Sequence, residues 1–352
     1  MAGGTGTRFW PLSTQKKPKQ FLDILNTGSS LLQLTFERFK QVCPVENILV
    51  VTNELYGQLV KEQLPDLSEN QILVEPEKKN TAPCIAYANH KIKTIDPKAN
   101  IVVTPSDHLI LKENEFIEVI KNGLQFTQNN DALLTLGIAP HKPETGYGYI
   151  QIDPEIKTNS NIFKIKTFTE KPNLDLAQKF YESGEYYWNS GVFIWSLDSI
   201  NKAFKSYLPN IDKLFEKGEK KYNTEDEQNF IHEVYFQSNS ISIDYGIMEK
   251  ADNVYVYTSD FGWADLGTWG SLQEFLEKDK KGNSVTGDNV LLYDVKDSII
   301  NISKEKIAVI KGLENYIVVD SEDKLLVYKK EDEQEIKEVV ETIKKEKGSE
   351  YI

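Results

Sequence analysis

The sequence of 352 residues has little cysteine, no long apolar run and no surplus of basic side chains. Its two cysteines, Cys43 and Cys84, lie near no second cysteine pair and no His-rich segment. This excludes a disulfide framework and a structural zinc site, and favours two reduced packing residues. No segment approaches the roughly 20 apolar residues that span a bilayer, and the N-terminus lacks a secretory pattern. We therefore expect a cytoplasmic protein with no membrane partner.

The charge balance excludes two further classes of partner. The 41 basic and 54 acidic side chains give a net charge of −13, whereas nucleic acids and anionic membranes are bound by basic faces. Residues 1–40 are the exception, with six basic side chains against two acidic ones. A basic island in an acidic chain predicts a small anionic ligand and no nucleic acid.

Short β-rich apolar runs alternate with longer amphipathic patterns over the first three-quarters of the chain. This alternation predicts an α/β fold with a doubly wound, mostly parallel, Rossmann-like sheet. The predicted strands are Asn47–Thr52, Gln71–Val74, Asn100–Thr104 and Ala132–Leu136. The predicted helices are Leu31–Val42, Leu55–Gln63, Ala82–Ile95 and Glu115–Gln128.

The pattern of predicted strands and helices changes twice beyond these units. From Gly146 to Trp195 longer strands surround one helix, which predicts an insertion of mixed pairing. After about Asp279 short strands and turn residues follow, beginning with a strand at Val285–Asp294 and ending with a charged helix at Glu331–Lys347. The sequence therefore predicts a large domain over residues 1–279. A small β-rich domain over residues 280–352, for which a few β-helix coils are one option, would follow it.

The most informative segment is the glycine loop, residues 3–7 (Gly-Gly-Thr-Gly-Thr). Gly3, Gly4 and Gly6 let backbone N–H groups approach an anion, and the following Arg8 and Lys19 add positive charge. A Walker A loop would need Gly-Lys-Ser/Thr after its gap, and a dinucleotide fingerprint would need a third glycine where Phe9 stands. A phosphate-binding loop and a turn for tight packing remain the two interpretations.

Two distant aspartates are candidate metal ligands. Asp107 follows a buried strand, at the end where ligands of open α/β sheets bind, and Asp265 lies in a turn rich in Gly and Trp. Mg²⁺ is usually held by one or two carboxylates together with phosphates and waters, which these two acids fit. Each could equally be a turn or helix-cap carboxylate. His108 has no spaced metal-binding partner and favours a packing role.

Three further segments have the character of sugar-binding loops. Glycines open the backbone of residues 144–149, and an acid and a base stand together at Glu170 and Lys171. Asn189 precedes another predicted strand. Glu170 and Asn189 could bind hydroxyls while Lys171 meets a phosphate, although loop chemistry between strands would also explain all three.

Taken together, these motifs resemble the mannose-1-phosphate guanylyltransferases of the sugar-phosphate nucleotidyltransferase superfamily. Family-like motifs follow one another in family order over nearly the whole chain. They lie at Gly3–Ser13, Pro18–Phe21, Asn80–Pro83, Pro105–His108, Thr145–Ile150, Glu170–Pro172, Trp188–Gly191, Ser242–Tyr245 and Trp263–Trp269. Trp10, Gln20–Phe21 and Asn80–Pro83 favour the mannose branch over the thymidylyl- and uridylyltransferase branches.

The resemblance implies a nucleotidyltransferase sheet and the conversion of GTP and α-D-mannose 1-phosphate to GDP-mannose and diphosphate, with Mg²⁺. It implies that the glycine loop with Gly3, Gly4, Gly6 and Thr7 cradles the nucleotide phosphates, and that Glu75, Asn80 and Thr81 lie near the nucleoside. Arg8 and Lys19 would stabilise the departing diphosphate, and Asp107 and Asp265 would hold Mg²⁺. Lys171 would neutralise the sugar phosphate. Gly146, Glu170, Asn189 and Asp244 would fix mannose.

Two departures from the family pattern and three alternatives accompany this resemblance. Only Met1 and Ala2 precede the glycine loop where relatives carry a strand, so we expect the first β-strand to be truncated. An isomerase domain found in longer relatives is missing, so a single activity is expected. Another hexose phosphate, another nucleotide, or a catalytically silent regulatory homologue would each keep the fold. The small β domain could mediate a homodimer, which composition does not establish.

Overall fold

The computed structural model describes residues 1–159 and 161–352. Contacts within the chain divide it into two compact units. The first unit comprises Met1–Gly3, Phe36–Ser106 and Ile110–Trp263; the second comprises Gly4–Thr35, Asp107–Leu109 and Ala264–Ile352. The predicted boundary at residue 279 would instead give two domains that follow one another in the sequence, and it stays a prediction. No helix in the described part of the chain is both long and apolar enough to cross a membrane.

The first three-quarters of the chain alternates strands and helices as predicted. The strands are β1 (Val50–Asn53), β2 (Ile72–Glu75), β3 (Asn100–Val103), β4 (Leu109–Ile110), β5 (Leu133–Ile138), β6 (Tyr149–Asn159), β7 (Ile162–Thr169), β8 (Tyr186–Ser196), β9 (Val254–Thr258) and β10 (Trp263–Ala264). The helices are α1 (Leu31–Phe39), α2 (Gly57–Gln63), α3 (Thr81–Lys93), α4 (Glu113–Asn129), α5 (Leu174–Ser183), α6 (Leu197–Tyr207), α7 (Pro209–Glu216), α8 (Glu227–Gln237) and α9 (Trp269–Gln273).

The main sheet of the first unit has the strand order β3-β8-β5-β9-β7-β6, and β1 and β2 form a separate parallel pair. β5 and β9 are parallel, and β8 is antiparallel to both β3 and β5, so β3 runs in the direction of β5. β7 is also reversed. The α/β class is confirmed, and the predominant strand direction is interrupted by two reversed strands.

The predicted insertion between Gly146 and Trp195 is wrong, because its strands belong to the main sheet itself. Phe193 of β8 lies opposite Val103 of β3 on one side and opposite Thr135 of β5 on the other. β8 begins at Tyr186 and contains Asn189, which was predicted to precede the strand. The pairing partners lie far away in the sequence, which is why a local pattern could not reveal this position.

Successive residues of the central strands enter two different apolar clusters. Leu133 of β5 and Phe193 of β8 pack with helices α3, α6, α7 and α8, whereas Leu134 and Ile194 pack with α4. Side chains alternate between the two faces of a strand, so both faces of this sheet are covered by helices. The doubly wound arrangement is therefore confirmed.

The C-terminal part of the second unit forms stacked parallel coils. Its strands are β11 (Ser284–Thr286), β12 (Val290–Tyr293), β13 (Ile299–Asn301), β14 (Ala308–Lys311), β15 (Tyr316–Ser321) and β16 (Lys324–Lys329). β11, β13 and β15 pair in parallel, as do β12 and β14, and Ile299 lies between Ser284 and Ile317 of neighbouring coils. This is β-helix-like pairing. The single strand predicted at Val285–Asp294 is wrong, because a turn with Gly287 at φ 123° divides it.

The last α-helix is α10 (Ile336–Glu346), which begins later than the predicted Glu331 because a 3₁₀ segment precedes it. Ile336 is buried with Phe9 and Trp10 in the main apolar cluster of the second unit. The Trp10 indole N–H also donates to the carbonyl oxygen of Tyr351 at 2.8 Å. The C-terminal residues therefore pack directly against the segment that follows the glycine loop.

Candidate active site

The glycine loop is shaped by one residue in the left-handed region. Gly6 has φ +56°, and a Cβ at this position would lie 2.6 Å from Cβ of Lys19. Only glycine combines that backbone conformation with such a close neighbour at low cost. Ser13 fixes the loop from the other side, since its hydroxyl donates to the carbonyl oxygen of Thr5 at 2.8 Å. A short 3₁₀ turn, Thr7–Phe9, then presents Arg8.

The loop borders a polar cavity that lies within the second unit. The cavity is lined by Gly6, Thr7, Arg8, Phe9, Lys19, Asp107, His108, Asp265, Leu266 and Gly267. Six of the predicted site residues from three distant stretches are therefore brought together: Gly6, Thr7, Arg8, Lys19, Asp107 and Asp265. The two aspartates line the same cavity, as a shared role requires.

Lys19 links the segments that carry the two aspartates. Its ammonium lies 2.8 Å from Oδ2 of Asp107 and donates to the carbonyl oxygens of Asp265 at 2.8 Å and Leu266 at 3.1 Å. Its Cβ lies beside Gly6, its ammonium lies over the Phe9 ring, and the residue is 5% exposed. Lys19 is thus held from both ends.

The electrostatics of the cavity favour an ionised Asp107. Burial alone would raise the pKa of this carboxyl group, but the charge attraction and the hydrogen bond of Lys19 oppose burial and the pKa lies below its usual value. Burial lowers the pKa of His108, which favours a neutral ring. The buried Nε of Arg8 has no hydrogen-bond partner among the described residues. An anion in the cavity would satisfy such a donor.

Asp265 is fixed by its own turn. Its Oδ1 accepts a hydrogen bond from the backbone N–H of Gly267 at 2.9 Å. Thr268 then caps α9, because its hydroxyl accepts from the backbone N–H of Ser271 at 3.1 Å. A short helix and a bonded turn therefore set the direction of the carboxylate.

The cavity fits a divalent cation only together with other ligands. Over residues 1–159 and 161–352, no cluster of three or more His, Cys, Asp or Glu side chains is arranged to hold a metal. Asp107 and Asp265 supply hard carboxylate oxygens, and Mg²⁺ commonly completes two such ligands with phosphate oxygens and waters. The donor set therefore suits Mg²⁺ that arrives with a polyphosphate.

The predicted sugar-binding residues form a second group, within the first unit. The Asn189 side chain donates to Oδ1 of Asp244 at 2.9 Å, and Lys171 is paired with Glu170. The predicted sugar loop joins them, since the backbone N–H of Asn189 donates to the carbonyl oxygen of Gly148 at 2.8 Å. Gly146 lies in the exposed turn of that loop.

Charge is concentrated in this group. Burial, and then the nearby Glu170 carboxylate, raise the pKa of Asp244 to about 6. The pKa of Lys171 is raised: burial alone would lower it, but its hydrogen bond and charge attraction to Glu170 outweigh burial. Oε2 of Glu170 is buried with no hydrogen-bond partner in the described part of the chain, and a Cβ on Gly148 would lie 2.5 Å from it. A ligand hydroxyl would satisfy this oxygen.

The residues predicted near the nucleoside lie in the first unit as well. Asn80 caps α3 with φ 68°, and its side chain accepts from the backbone N–H of Thr81. The Thr81 hydroxyl accepts from the backbone N–H of Ile243 at 2.8 Å, one residue before Asp244. Glu75 ends β2, where a Cβ on Gly3 would lie 3.6 Å from its Oε2. Gly4, in contrast, is exposed and belongs to the second unit.

Three residues that support these groups were missed by sequence reasoning. The Thr135 hydroxyl donates to Oδ1 of Asn189 at 2.8 Å, and Oε1 of Glu249 accepts from the backbone N–H of Glu170 at 3.0 Å. Tyr235 donates to Oε1 of Glu75 at 2.8 Å. A threonine inside the apolar strand β5 was a usable signal; the other two carry none in sequence.

Known families match both parts of the chain. The model of the Nucleotidyl transferase family matches residues 1–282, and that of the MannoseP isomerase/GMP-like beta-helix domain matches residues 288–343. Mannose-1-phosphate guanylyltransferase of Escherichia coli is 37% identical over 351 residues, which are 97% of this chain and 74% of that protein. The Klebsiella pneumoniae protein of the same name is 35% identical over 358 residues, with 100% and 74% covered.

Solved structures agree with the sequence matches. The crystal structure of mannose-1-phosphate geranyltransferase from Thermus thermophilus superposes with a TM-score of 0.87 at 29% identity and covers 98% of both chains. Mannose-6-phosphate isomerase from Helicobacter pylori gives a TM-score of 0.59 at 27% identity, covering 75% of this chain and 97% of that one. The chain therefore belongs to the nucleotidyl transferases, within the mannose-1-phosphate guanylyltransferase family.

Proposed function

We propose that this protein is a mannose-1-phosphate guanylyltransferase that converts GTP and α-D-mannose 1-phosphate to GDP-mannose and diphosphate. The observation that carries the proposal is the convergence of Arg8, Asp107 and Asp265 on one cavity beside the glycine loop. Relatives of that name that are 35–37% identical support the choice of substrates. GTP as the nucleotide is the part of the proposal that depends on this similarity alone.

In the proposed reaction an oxygen of the sugar phosphate attacks the α-phosphorus of GTP in line, and diphosphate leaves. The attacking phosphate is already ionised at neutral pH, so no general base is required. Catalysis then depends on alignment and on neutralising the charge that develops on the phosphates. Mg²⁺, when bound, would supply Lewis-acid neutralisation of the phosphate oxygens, with Asp107 and Asp265 as its protein ligands.

The chain's own residues have separate roles in this proposal. Gly3, Gly4, Gly6 and Thr7 would bind the phosphates through backbone N–H groups. The Nε of Arg8, which has no hydrogen-bond partner within residues 1–159 and 161–352, would meet a phosphate oxygen. Lys171 would neutralise the sugar phosphate. The sugar hydroxyls would bind to Glu170, Asn189 and Asp244, with Gly146 in the same loop, and the nucleoside would lie near Glu75, Asn80 and Thr81.

The test is a diphosphate-release assay with mannose 1-phosphate or glucose 1-phosphate and each of the four nucleoside triphosphates, with and without Mg²⁺. We expect the highest kcat/KM for mannose 1-phosphate with GTP and no turnover without a divalent cation. A preference for another sugar or nucleotide would replace the proposed substrates within the family. No turnover with any pair would favour a regulatory homologue. Turnover that persists without a divalent cation would show that the proposed reaction does not require Mg²⁺. Cytoplasmic location and homodimer formation stay predictions.

A further inference from the structure

Lys19 has no hydrogen-bond donor left for a phosphate. An ammonium group has three N–H donors, and in Lys19 they face Oδ2 of Asp107 and the carbonyl oxygens of Asp265 and Leu266, at 2.8, 2.8 and 3.1 Å. The residue is 5% exposed. In this conformation Lys19 therefore offers no hydrogen bond to a departing diphosphate, the group that the family resemblance implies it would stabilise.

The position of Lys19 is enforced by its surroundings. Its stem is confined by Gly6, where a Cβ would come within 2.6 Å, and its ammonium lies 5.9 Å from the centre of the Phe9 ring. Lys19 also belongs to a short 3₁₀ turn, Lys19–Phe21. Only the end of the side chain can move without rearranging the loop. The accessible movement is a shift of the ammonium away from one of its three acceptors.

Among these acceptors, Asp107 is the one that a divalent cation would also bind. The carbonyl oxygens of Asp265 and Leu266 are neutral backbone groups, whereas the Asp107 carboxylate is charged and 28% exposed to the cavity. A monovalent and a divalent cation cannot both lie against one carboxylate without strong mutual repulsion. Binding of a metal at Asp107 must therefore displace the ammonium or be weakened by it.

We propose that Lys19 is a positioning residue that occupies the cation position at Asp107 before the metal binds. In this arrangement Lys19 holds the Asp107 and Asp265 segments together, and loading of a divalent cation moves its ammonium off Oδ2. One N–H donor then becomes available to a polyphosphate that arrives with the metal. The inference rests on the proposed function only in taking Asp107 and Asp265 as the metal ligands.

The experiment is Mn²⁺ binding to the full chain without nucleotide, followed by the electron paramagnetic resonance signal of free Mn²⁺. Lys19→Met keeps the length of the side chain and removes its charge, so we expect it to bind Mn²⁺ at least threefold more tightly than the natural protein. Lys19→Arg, which keeps the charge, should bind no more tightly than the natural protein, and Asp107→Asn should bind at least tenfold more weakly. Lys40→Met, in a lysine that pairs with Glu37 at 2.9 Å, is the matched control and should change nothing.

Equal or weaker Mn²⁺ binding by folded Lys19→Met would overturn the proposal, as would no measurable binding by either protein. If Lys19→Met does not fold, the ammonium resonance of Lys19 in the natural protein, assigned with Lys19→Arg, gives the answer on titration with Mg²⁺. A shifted resonance supports displacement, and an unchanged resonance at saturating Mg²⁺ contradicts it. Because neither readout needs turnover, an inactive protein with the expected binding pattern would refute the proposed function and leave this inference standing.

Discussion

The side chains of Asn189 and Asp244 are joined by a hydrogen bond of 2.9 Å, although 55 positions separate them in the chain. Asn189 lies in the reversed strand β8, and Asp244 begins a short helical turn, Asp244–Met248. The amide stabilises a carboxylate that burial and Glu170 disfavour, since together they raise the pKa of Asp244 to about 6. Asp244 therefore titrates in a range where enzyme assays are performed.

This raised pKa predicts how stability depends on pH. Between the unfolded pKa near 4 and the folded pKa of about 6, the folded protein binds more protons than the unfolded chain, so Asp244 contributes a loss of stability as pH rises through that window. Asp244→Asn removes the titrating group. Between pH 4 and pH 7 the unfolding free energy of the variant should therefore fall less than that of the natural protein. We expect the two decreases to differ by on the order of 1 kcal/mol.

Urea unfolding at intervals of half a pH unit measures this difference. Asp252→Asn, at an exposed carboxylate in the same unit, is the control and should follow the natural protein across the range. Parallel curves for Asp244→Asn and the natural protein would contradict the prediction.

The glycine loop offers a comparison between two neighbouring glycines. Gly6→Ala places a side chain in the left-handed region at φ +56° and 2.6 Å from Lys19 Cβ, so we expect a loss of roughly 2–4 kcal/mol of stability together with activity. Gly4→Ala meets nothing within 4 Å and should keep its stability. If Gly4 approaches the phosphates as proposed, its variant should still lose turnover.

Thermal unfolding and diphosphate release on both variants separate the two effects. A stable and fully active Gly4→Ala variant would contradict the proposal that Gly4 binds the phosphates. A Gly6→Ala variant as stable as the natural protein would show that the loop can rearrange around Lys19.

Much of the fold and site could be predicted because the signals are local. The apolar patterns located α4 and β3, and the motifs around Asp107 and Asp265 marked residues that line one cavity. Strand direction could not be predicted in this way. β8 is reversed because it pairs between β3 and β5, and no nearby residue encodes that choice. The turn at Gly287 is different, since its Gly-Asp-Asn sequence was a readable signal.

The partner of a buried charge is equally hidden from sequence. Lys19 stands in a basic island, which predicts an anionic ligand, yet its ammonium contacts the carboxylate of Asp107, far along the chain. The same holds for Glu75, whose partner Tyr235 comes from helix α8. The sequence shows that such charged residues exist, but the packing of distant segments decides which groups stabilise their charges.

The Tyr235 hydroxyl predicts a second effect of pH. Burial raises the pKa of Glu75 to about 7, and the hydrogen bond from Tyr235 opposes this rise by stabilising the ionised form. Tyr235→Phe should therefore raise that pKa further and cost about 1–3 kcal/mol at pH 8, where the charge must be buried without its partner. The cost should be smaller at pH 5, where Glu75 is protonated in the folded protein.

Tyr328→Phe is the matched control, because this hydroxyl donates to Glu335 at the same distance of 2.8 Å but at the surface. It should change the unfolding free energy by no more than about 0.5 kcal/mol at either pH. Chemical unfolding at pH 5 and pH 8 measures both variants. An equal loss for Tyr235→Phe at the two pH values would contradict the assignment of Glu75 as the titrating group.

The two aspartates of the cavity predict the largest effect on catalysis. Asp107→Asn and Asp265→Asn keep the shape of each side chain and remove its charge, so the ligands proposed for the divalent cation are weakened. We expect each to lower kcat by on the order of a hundredfold or more, as removal of a transition-state charge clamp does. Steady-state diphosphate release at saturating Mg²⁺ is the measurement.

Asp260→Asn separates this effect from a general change in charge. Asp260 shortly precedes Asp265 in the chain, and its side chain is 84% exposed and paired with Lys112 at 2.8 Å. Its variant should retain kcat, because Asp260 is not among the residues that line the cavity. It should also stay folded, because an exposed ion pair contributes little to stability. If Asp107→Asn and Asp265→Asn turned over like Asp260→Asn, the cavity carboxylates would not be metal ligands. Convergence on one cavity would then reflect the packing of their two segments around Lys19.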